Sequence, residues 1–147
     1  MSEWQSVCVV LVDDDPDEHF LFRADLEDAG VCLEFEAFTR AEDALTHLRS
    51  IIRKPVLIFT DLSLAGSDAI DFIRSVQPYL GGGAVGVYSG ARNPEMEQKC
   101  RQAGSGFYMV KPVTRTAFEK IVTGIGTMRL VDEGGGLRLV LADSQAA

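Results

Sequence analysis

One short run of residues, from Pro55 to Asp61, constrains the fold of this chain more than any other. It reads Pro-Val-Leu-Ile-Phe-Thr-Asp, with large or β-branched side chains in succession and no polar alternation. A continuous apolar run of this length after a proline is typical of a strand buried on both faces of a parallel sheet. Ligands of open parallel sheets bind at the carboxyl ends of strands. The sequence therefore places a carboxylate, Asp61, where a ligand site is expected.

The same pattern, an apolar run followed by polar residues, predicts three further buried strands. They are Val7–Val12 before Asp13 and Asp14, Ala84–Ser89 ending on a hydroxyl, and Phe107–Val110 before Lys111. Residues 32–38 alternate glutamates with apolar residues instead, which predicts a less buried strand at the edge of the sheet.

Helix-start signals separate the strands. The N-cap candidates are Asp15 before Pro16, Thr39 in a capping box with Glu42, Ser67 or Asp68, Asn93 before Pro94, and Thr114. Because strands and helices alternate, the sequence predicts an α/β domain with a doubly wound, five-stranded parallel sheet and helices on both faces.

The end of the chain follows a different pattern, so we divide it into a domain at residues 1–126 and an extension at 127–147. Two apolar runs, Met128–Val131 and Leu137–Leu141, flank a glycine-rich stretch and predict a β-hairpin or arm. A last helix that continues to Val131 is the alternative. The apolar run at Leu137–Leu141 predicts a homodimer or docking contact. The extension is too short for an effector domain, so we expect output through a separate protein target.

Composition limits the classes of partner and the location. The net charge of -8 argues against binding to nucleic acid or an anionic membrane, because no basic excess offsets phosphate charge. The three cysteines, Cys8, Cys32 and Cys100, lack metal-binding spacing and are expected to be reduced thiols. The run at Val7–Val12 is too short for a signal peptide or a membrane span. We therefore expect a cytoplasmic protein.

The strand ends of a doubly wound sheet share one rim, which brings their polar residues together. The carboxylates of Asp13, Asp14 and Asp61, the Ser89 hydroxyl and the Lys111 ammonium are expected there. Clustered carboxylates favour a hard cation, and oxygen ligands select Mg²⁺ over softer metals. The lysine and the hydroxyl suit phosphoryl oxygens, and an aspartate can attack phosphorus to give an acyl phosphate. The set predicts Mg²⁺-dependent phosphoryl transfer onto Asp61.

These residues resemble the motifs of a known family. Val12-Asp13-Asp14, Asp61 followed by Leu-x-Leu-x-Gly, Ser89-Gly90 and Lys111-Pro112 are similar to those of the receiver domain of bacterial two-component response regulators. The resemblance extends from about Val7 to Val122 and implies a flavodoxin-like, CheY-like fold.

The resemblance implies that Asp61 is the phosphoacceptor. It assigns Mg²⁺ to Asp13, Asp14, Asp61 and the main-chain carbonyl of Ser63. The following loop departs from the family pattern, because alanine replaces the usual proline at Ala65 and the usual glycine at Ala69. We expect a looser loop and altered rates of phosphorylation, with the capacity retained.

The resemblance further implies that Ser89 and Lys111 bind the phosphoryl group and that Tyr108 changes rotamer with the state of the site. Phosphorylation is expected to let Tyr108 turn inward and to remodel the surface of the fourth helix, fifth strand and fifth helix. The peptide bond before Pro112 is expected to be cis. His19 and His47 are expected away from the rim, as packing or surface residues.

The function implied is that of a single-domain response regulator. It would accept a phosphoryl group from a sensor histidine kinase or a histidine phosphotransfer protein. We expect a switch that phosphorylates and dephosphorylates itself, not a turnover enzyme. The alternative is a constitutive protein-interaction module with a vestigial phosphorylation site. A phosphatase of the haloacid dehalogenase type is a weaker rival, because it needs a second aspartate where Ser63 stands.

Overall fold

The apolar run before Asp61 forms the middle strand of a parallel sheet in the computed structural model of the chain. The structure describes residues 5–32, 34–51, 54–64 and 67–142. In chain order, the strands are β1 (Cys8–Val12), β2 (Val31–Cys32), β3 (Glu34–Phe38), β4 (Val56–Thr60), β5 (Ser63–Leu64), β6 (Ser67–Asp68), β7 (Ala84–Ser89), β8 (Tyr108–Val110), β9 (Met128–Asp132) and β10 (Leu137–Leu141). The helices are α1 (Pro16–Asp28), α2 (Ala41–Ser50), α3 (Ala69–Val76), α4 (Pro94–Ala103) and α5 (Arg115–Ile125).

The main sheet has five parallel strands in the order β3-β1-β4-β7-β8. Every residue of β1 and β4 is buried, because both strands have a neighbour on each side and helices over each face. The predicted edge strand, β3, lies at the edge and is only partly buried. The register pairs Val12 with Thr60, so the acidic residues that follow these two strands begin at the same level of the rim.

The helices cover both faces of the sheet, which confirms the doubly wound fold. Buried residues of α2, α3 and α4 form one apolar cluster with one face of the strands. Buried residues of α1 and α5 form a second cluster on the opposite face. Within the described ranges, no helix combines the length and apolar character needed to cross a membrane.

The helix starts follow the predicted caps with one exception. The side chains of Asp15, Asp68, Asn93 and Thr114 each accept a backbone hydrogen bond at the start of a helix. The capping box predicted at Thr39 is wrong, because α2 begins one residue later with Arg40 at the N-cap position. The Arg40 side chain forms an ion pair with Glu42, the residue that the capping box required.

The extension forms the predicted β-hairpin rather than a continued helix. Helix α5 ends at Ile125, and Gly126 has a left-handed backbone (φ 80°), which suits glycine. Strands β9 and β10 are antiparallel, and β10 also pairs with β2 in a three-stranded sheet of order β2-β10-β9. The strand predicted at residues 32–38 is therefore divided, since its first part leaves the main sheet to pair with the hairpin.

The apolar residues of the hairpin pack against the rest of the chain. Met128, Leu139 and Val140 are buried, and Met128 and Leu139 belong to the cluster under α1 and α5. The backbone of Leu141 donates a hydrogen bond to the carbonyl of Gln5, which ties the hairpin to the residues before β1. This packing accounts for the apolar run at Leu137–Leu141 without a second chain, and a homodimer through it stays a prediction.

Shortening Leu139 to alanine should therefore destabilise the whole domain. Leu139 is 2% exposed, so the change leaves a cavity and should lower the free energy of unfolding by about 2–5 kcal/mol. The matched control is Leu21→Ala in α1, where the side chain is 51% exposed and the expected loss is within about 0.5 kcal/mol. Urea unfolding measures both, and equal values for the two variants would contradict the packed hairpin.

Candidate functional site

Three carboxylates meet at the rim where β1 and β4 end. Asp13, Asp14 and Asp61 each offer an oxygen that lies within 4.8 Å of the others. The backbone fixes two of them, because the N–H of Asp13 donates to Phe38 and the N–H of Asp61 donates to Val12. Val12 and Thr60 are paired in the sheet, so the next residues, Asp13 and Asp61, lie side by side. The sequence predicted this convergence of acidic residues.

Lys111 provides the positive charge of this cluster. Its ammonium lies 2.9 Å from Oδ2 of Asp13, 3.6 Å from Oε2 of Glu18 and 3.7 Å from Oδ2 of Asp61. Burial alone would lower the pKa of Lys111, but the hydrogen bond to Asp13 and the charges of Asp61, Asp13 and Glu18 outweigh it and raise the pKa. The lysine therefore stays charged at the point where three acids face one another.

Asp13 is the most enclosed acid of the cluster, with 1% of its side chain exposed. One of its oxygens accepts from Lys111, and the other accepts from the backbone N–H of Asp15 at 3.0 Å. Both oxygens of this buried carboxylate thus have hydrogen-bond donors, as buried polar groups generally do.

Asp61 lies more openly beside it, with 18% of its side chain exposed. Burial raises the pKa of its carboxyl, the charge of Lys111 lowers it, and the charge of Asp13 raises it, with a net increase. The backbone N–H of Ser63 donates to Oδ1 of Asp61 at 3.5 Å. Asp61 is therefore a partly exposed carboxylate, reachable from solvent, next to the Lys111 ammonium.

The donor set fits Mg²⁺. Three carboxylate groups offer only hard oxygen atoms, and Asp14 and Asp61 are open enough to leave room for other ligands. Ser63, whose carbonyl was predicted as a further ligand, begins a short antiparallel pair of β5 with β6. Ala65, one of the two departures in this loop, lies outside the described residues. The other, Ala69, is the first residue of α3 and is buried.

Ser89 and Lys111 are joined through the backbone. Ser89 ends β7, and its carbonyl accepts the N–H of Lys111 at 2.8 Å. Val87 of β7 pairs with Thr60 of β4. Ser89, two residues after Val87, therefore lies one residue beyond the level of Asp61. The peptide bond between Lys111 and Pro112 is cis.

Tyr108 lies inside the protein in this structure. It is 9% exposed, and its hydroxyl donates to the carbonyl of Ala91 at 2.7 Å. The guanidinium of Arg92 covers the ring at 5.7 Å from its centroid. The inward position that was expected to follow phosphorylation is thus occupied here.

Three residues lie at the site although the sequence did not predict them there. Glu18, in the first turn of α1, was not predicted at the site, yet it is the third acid at Lys111. The prediction that His19 lies away from the rim is wrong, because its Nε2 is 2.7 Å from the carbonyl oxygen of Asp13. Tyr88 was not singled out, yet its ring faces the Lys111 ammonium at 5.5 Å. One signal was available, since α1 begins two residues after Asp14 and its first turn must lie beside the rim.

Comparison with known proteins agrees with this geometry. A family model described as "Response regulator receiver domain" matches residues 9–123. The chain belongs to the response regulator receiver family. No curated protein sequence matches it at a significant level.

Solved receiver structures have the same fold. A receiver domain from Rhodospirillum rubrum is 27% identical, with 81% of this chain and 92% of that chain covered and a TM-score of 0.66. The chemotaxis response regulator CheY4 of Vibrio cholerae is 21% identical, with 82% and 99% covered and a TM-score of 0.66. The bacteriophytochrome response regulator AtBRR is 21% identical, with 88% and 99% covered and a TM-score of 0.72.

The Asp61 carboxylate should lower the stability of the folded receiver as the pH rises toward neutrality. The pKa of Asp61 is raised above its ordinary value of 3.8, so the folded chain binds its proton more readily than the unfolded chain does. The free energy of unfolding therefore falls as the pH rises from about 3.8 through the raised pKa. Asp61→Asn removes this cost, and in EDTA at pH 7 its urea midpoint should exceed that of the wild type.

The control is Asp43→Asn, which removes an exposed acid in the first turn of α2. Its urea midpoint should stay close to that of the wild type. A lower midpoint for Asp61→Asn than for this control would contradict the electrostatic account of the cluster.

Proposed function

We propose that this receiver accepts a phosphoryl group on Asp61, in a Mg²⁺-dependent reaction, from a sensor histidine kinase or a histidine phosphotransfer protein. The observation that carries the proposal is the position of Asp61. It is a partly exposed carboxylate 3.7 Å from a lysine ammonium and within 4.8 Å of two further acids. A cap or a structural ion pair would not need three acids around one cation.

The reaction balances with the groups present. An oxygen of Asp61 attacks the phosphorus of phosphohistidine, a P–O bond forms and the P–N bond breaks. The electron pair and a proton end on the imidazole nitrogen of the donor. Hydrolysis by water then returns the Asp61 carboxylate and releases inorganic phosphate. The chain modifies itself and is restored slowly, so it acts as a switch and not as a turnover enzyme.

Each polar residue assigned to the rim has a role in the proposed reaction. Mg²⁺, when bound, neutralises charge on the phosphoryl oxygens. Asp13 and Asp14, with the carbonyl of Ser63, would hold the ion beside Asp61. The Lys111 ammonium balances a second phosphoryl oxygen, and the Ser89 hydroxyl donates to a third.

The switch would pass through Ser89 and Tyr108. Ser89 and Lys111 are linked by a backbone hydrogen bond, so a shift of Ser89 toward a phosphoryl group pulls on the end of β8. Tyr108 is on that strand and is already held inside by Ala91 and Arg92. We infer that phosphorylation stabilises this inward arrangement and so fixes the surface of α4, β8 and α5 for a protein target.

The second candidate is a constitutive interaction module whose site is vestigial. A vestigial site need not keep its acids close to a cation. Lys111 nevertheless lies within 4.0 Å of three carboxylates, and both oxygens of Asp13 have donors. These contacts favour the phosphorylated switch.

Incubation with acetyl phosphate and Mg²⁺ tests the phosphoacceptor. The wild type should gain one phosphoryl group by intact mass, and the modification should be stable in acid and labile in base, as expected for an acyl phosphate. Asp61→Asn should gain none, whereas Asp43→Asn, which removes a surface charge of the same kind, should react like the wild type. Equal labelling of Asp61→Asn and the wild type would overturn the proposal.

Mg²⁺ binding separates the two candidate functions. Calorimetric titration of the wild type should detect a single site, and Asp14→Asn should weaken it by roughly tenfold or more, since loss of even outer partners of a metal costs 10–100-fold. Asp43→Asn should bind Mg²⁺ as the wild type does. If the wild type binds no Mg²⁺, the result supports a constitutive interaction module with a vestigial site instead.

A further inference from the structure

Tyr88 contacts the segment that carries Lys111 at two points. It is the residue before Ser89 in β7, and it is 2% exposed. Its ring faces the ammonium of Lys111, with 5.5 Å between Nζ and the ring centroid. Its hydroxyl oxygen accepts a hydrogen bond from the backbone N–H of Val113 at 3.0 Å. The two contacts lie on either side of Pro112.

Tyr88 is itself held rigidly. Its ring meets Phe22 of α1 edge-on at 5.1 Å and Phe59 of β4 edge-on at 6.1 Å between centroids. Phe59 lies two residues before Asp61, so the strand that presents the acceptor also supports the tyrosine. Tyr88 therefore links Lys111 to β4, the strand that carries Asp61 at its end.

The charges around Lys111 make such a restraint necessary. The lysine has a flexible stem, and its ammonium is attracted by three acids at different distances. Glu18 and Asp61 compete almost equally, at 3.6 Å and 3.7 Å, and the Glu18 side chain is the more exposed of the two. A small shift toward Glu18 would take the ammonium away from a phosphoryl group on Asp61, and errors of this size are costly in catalysis.

We propose that Tyr88 is a positioning residue, whose ring face and hydroxyl hold the Lys111 ammonium between Asp13 and Asp61. A cation is attracted to the face of an aromatic ring, and the hydrogen bond to Val113 fixes the backbone just beyond the lysine. The proposal rests on the proposed function of Asp61. It adds a residue that acts on the reaction only through Lys111.

A double-mutant cycle tests whether Tyr88 acts through Lys111. The variants are Tyr88→Met, which keeps the apolar volume without a ring, Lys111→Met, and the two together. The rate of phosphorylation by acetyl phosphate should fall roughly tenfold in Tyr88→Met. The same change should have no further effect in the Lys111→Met background. Tyr88→Phe keeps the ring and should recover most of the rate.

Phe118→Leu is the matched control for lost aromatic packing. Phe118 is fully buried in the same cluster and stacks on Phe59. Its loss should lower stability and leave the rate unchanged. If Tyr88→Met reacts as fast as the wild type, or slows the Lys111→Met background by the same factor, the proposal is overturned.

NMR spectroscopy tests whether Tyr88 positions Lys111 without the need for phosphorylation. In the wild type, the ring current of Tyr88 should shift the side-chain methylene protons of Lys111 upfield in the NMR spectrum. The shift should persist in Tyr88→Phe and disappear in Tyr88→Met. If the wild type shows the shift and gains no phosphate, the proposed function fails while the placement of Lys111 by Tyr88 stands. If the wild type lacks the shift, the positioning role is overturned.

Discussion

The ion pair between Lys111 and Asp13 is the contact on which the rest of the site depends. It joins residues 98 positions apart in the chain, one after β8 and one after β1, across the rim of the sheet. Asp13 has almost no exposure to water, and a buried charge left without its partner costs about 3–5 kcal/mol. The pair therefore links the two strand ends and keeps the Lys111 ammonium within reach of Asp61 and Glu18.

The clustered carboxylates at the rim lower the stability of the folded chain. Several carboxylates converge there around one ammonium, and the pKa of Asp61 is raised by burial and by the charge of Asp13. The core supplies the compensation, with fully buried β1 and β4 and apolar clusters on both faces of the sheet. Repulsion between the acids of this site would be relieved by a bound divalent cation. This is the physical basis for expecting Mg²⁺, and with it a phosphoryl group, at the rim.

Much of the fold could be predicted because its strands have a plain signature. Buried parallel strands read as continuous apolar runs, and the polar residue after each run marks the rim, which is how Asp13, Asp61 and Lys111 were found. The N-caps at Asp15, Asp68, Asn93 and Thr114 were predictable for a similar reason, since a short polar side chain there satisfies backbone donors.

The remaining features depend on contacts that no local pattern encodes. Strand β2 exists because the hairpin at the end of the chain pairs with it, about one hundred residues later. Tyr88 looks like an ordinary core aromatic in an apolar strand, and only the fold brings Lys111 over its ring. His19 was expected to be a packing or surface residue, and its contact with Asp13 arises because the first turn of α1 lies beside the rim.

Whether Asp61 is the phosphoacceptor is tested most directly by a crystal structure of the chain with Mg²⁺ and beryllofluoride, a mimic of a phosphoryl group on a carboxylate. We predict that beryllium is bound to an oxygen of Asp61 and that Lys111 and Ser89 contact its fluorine atoms. We also predict that Mg²⁺ is held by Asp13, Asp14 and Asp61. Beryllofluoride bound elsewhere, or Asp61 unmodified in crystals that hold Mg²⁺ at the cluster, would contradict this assignment.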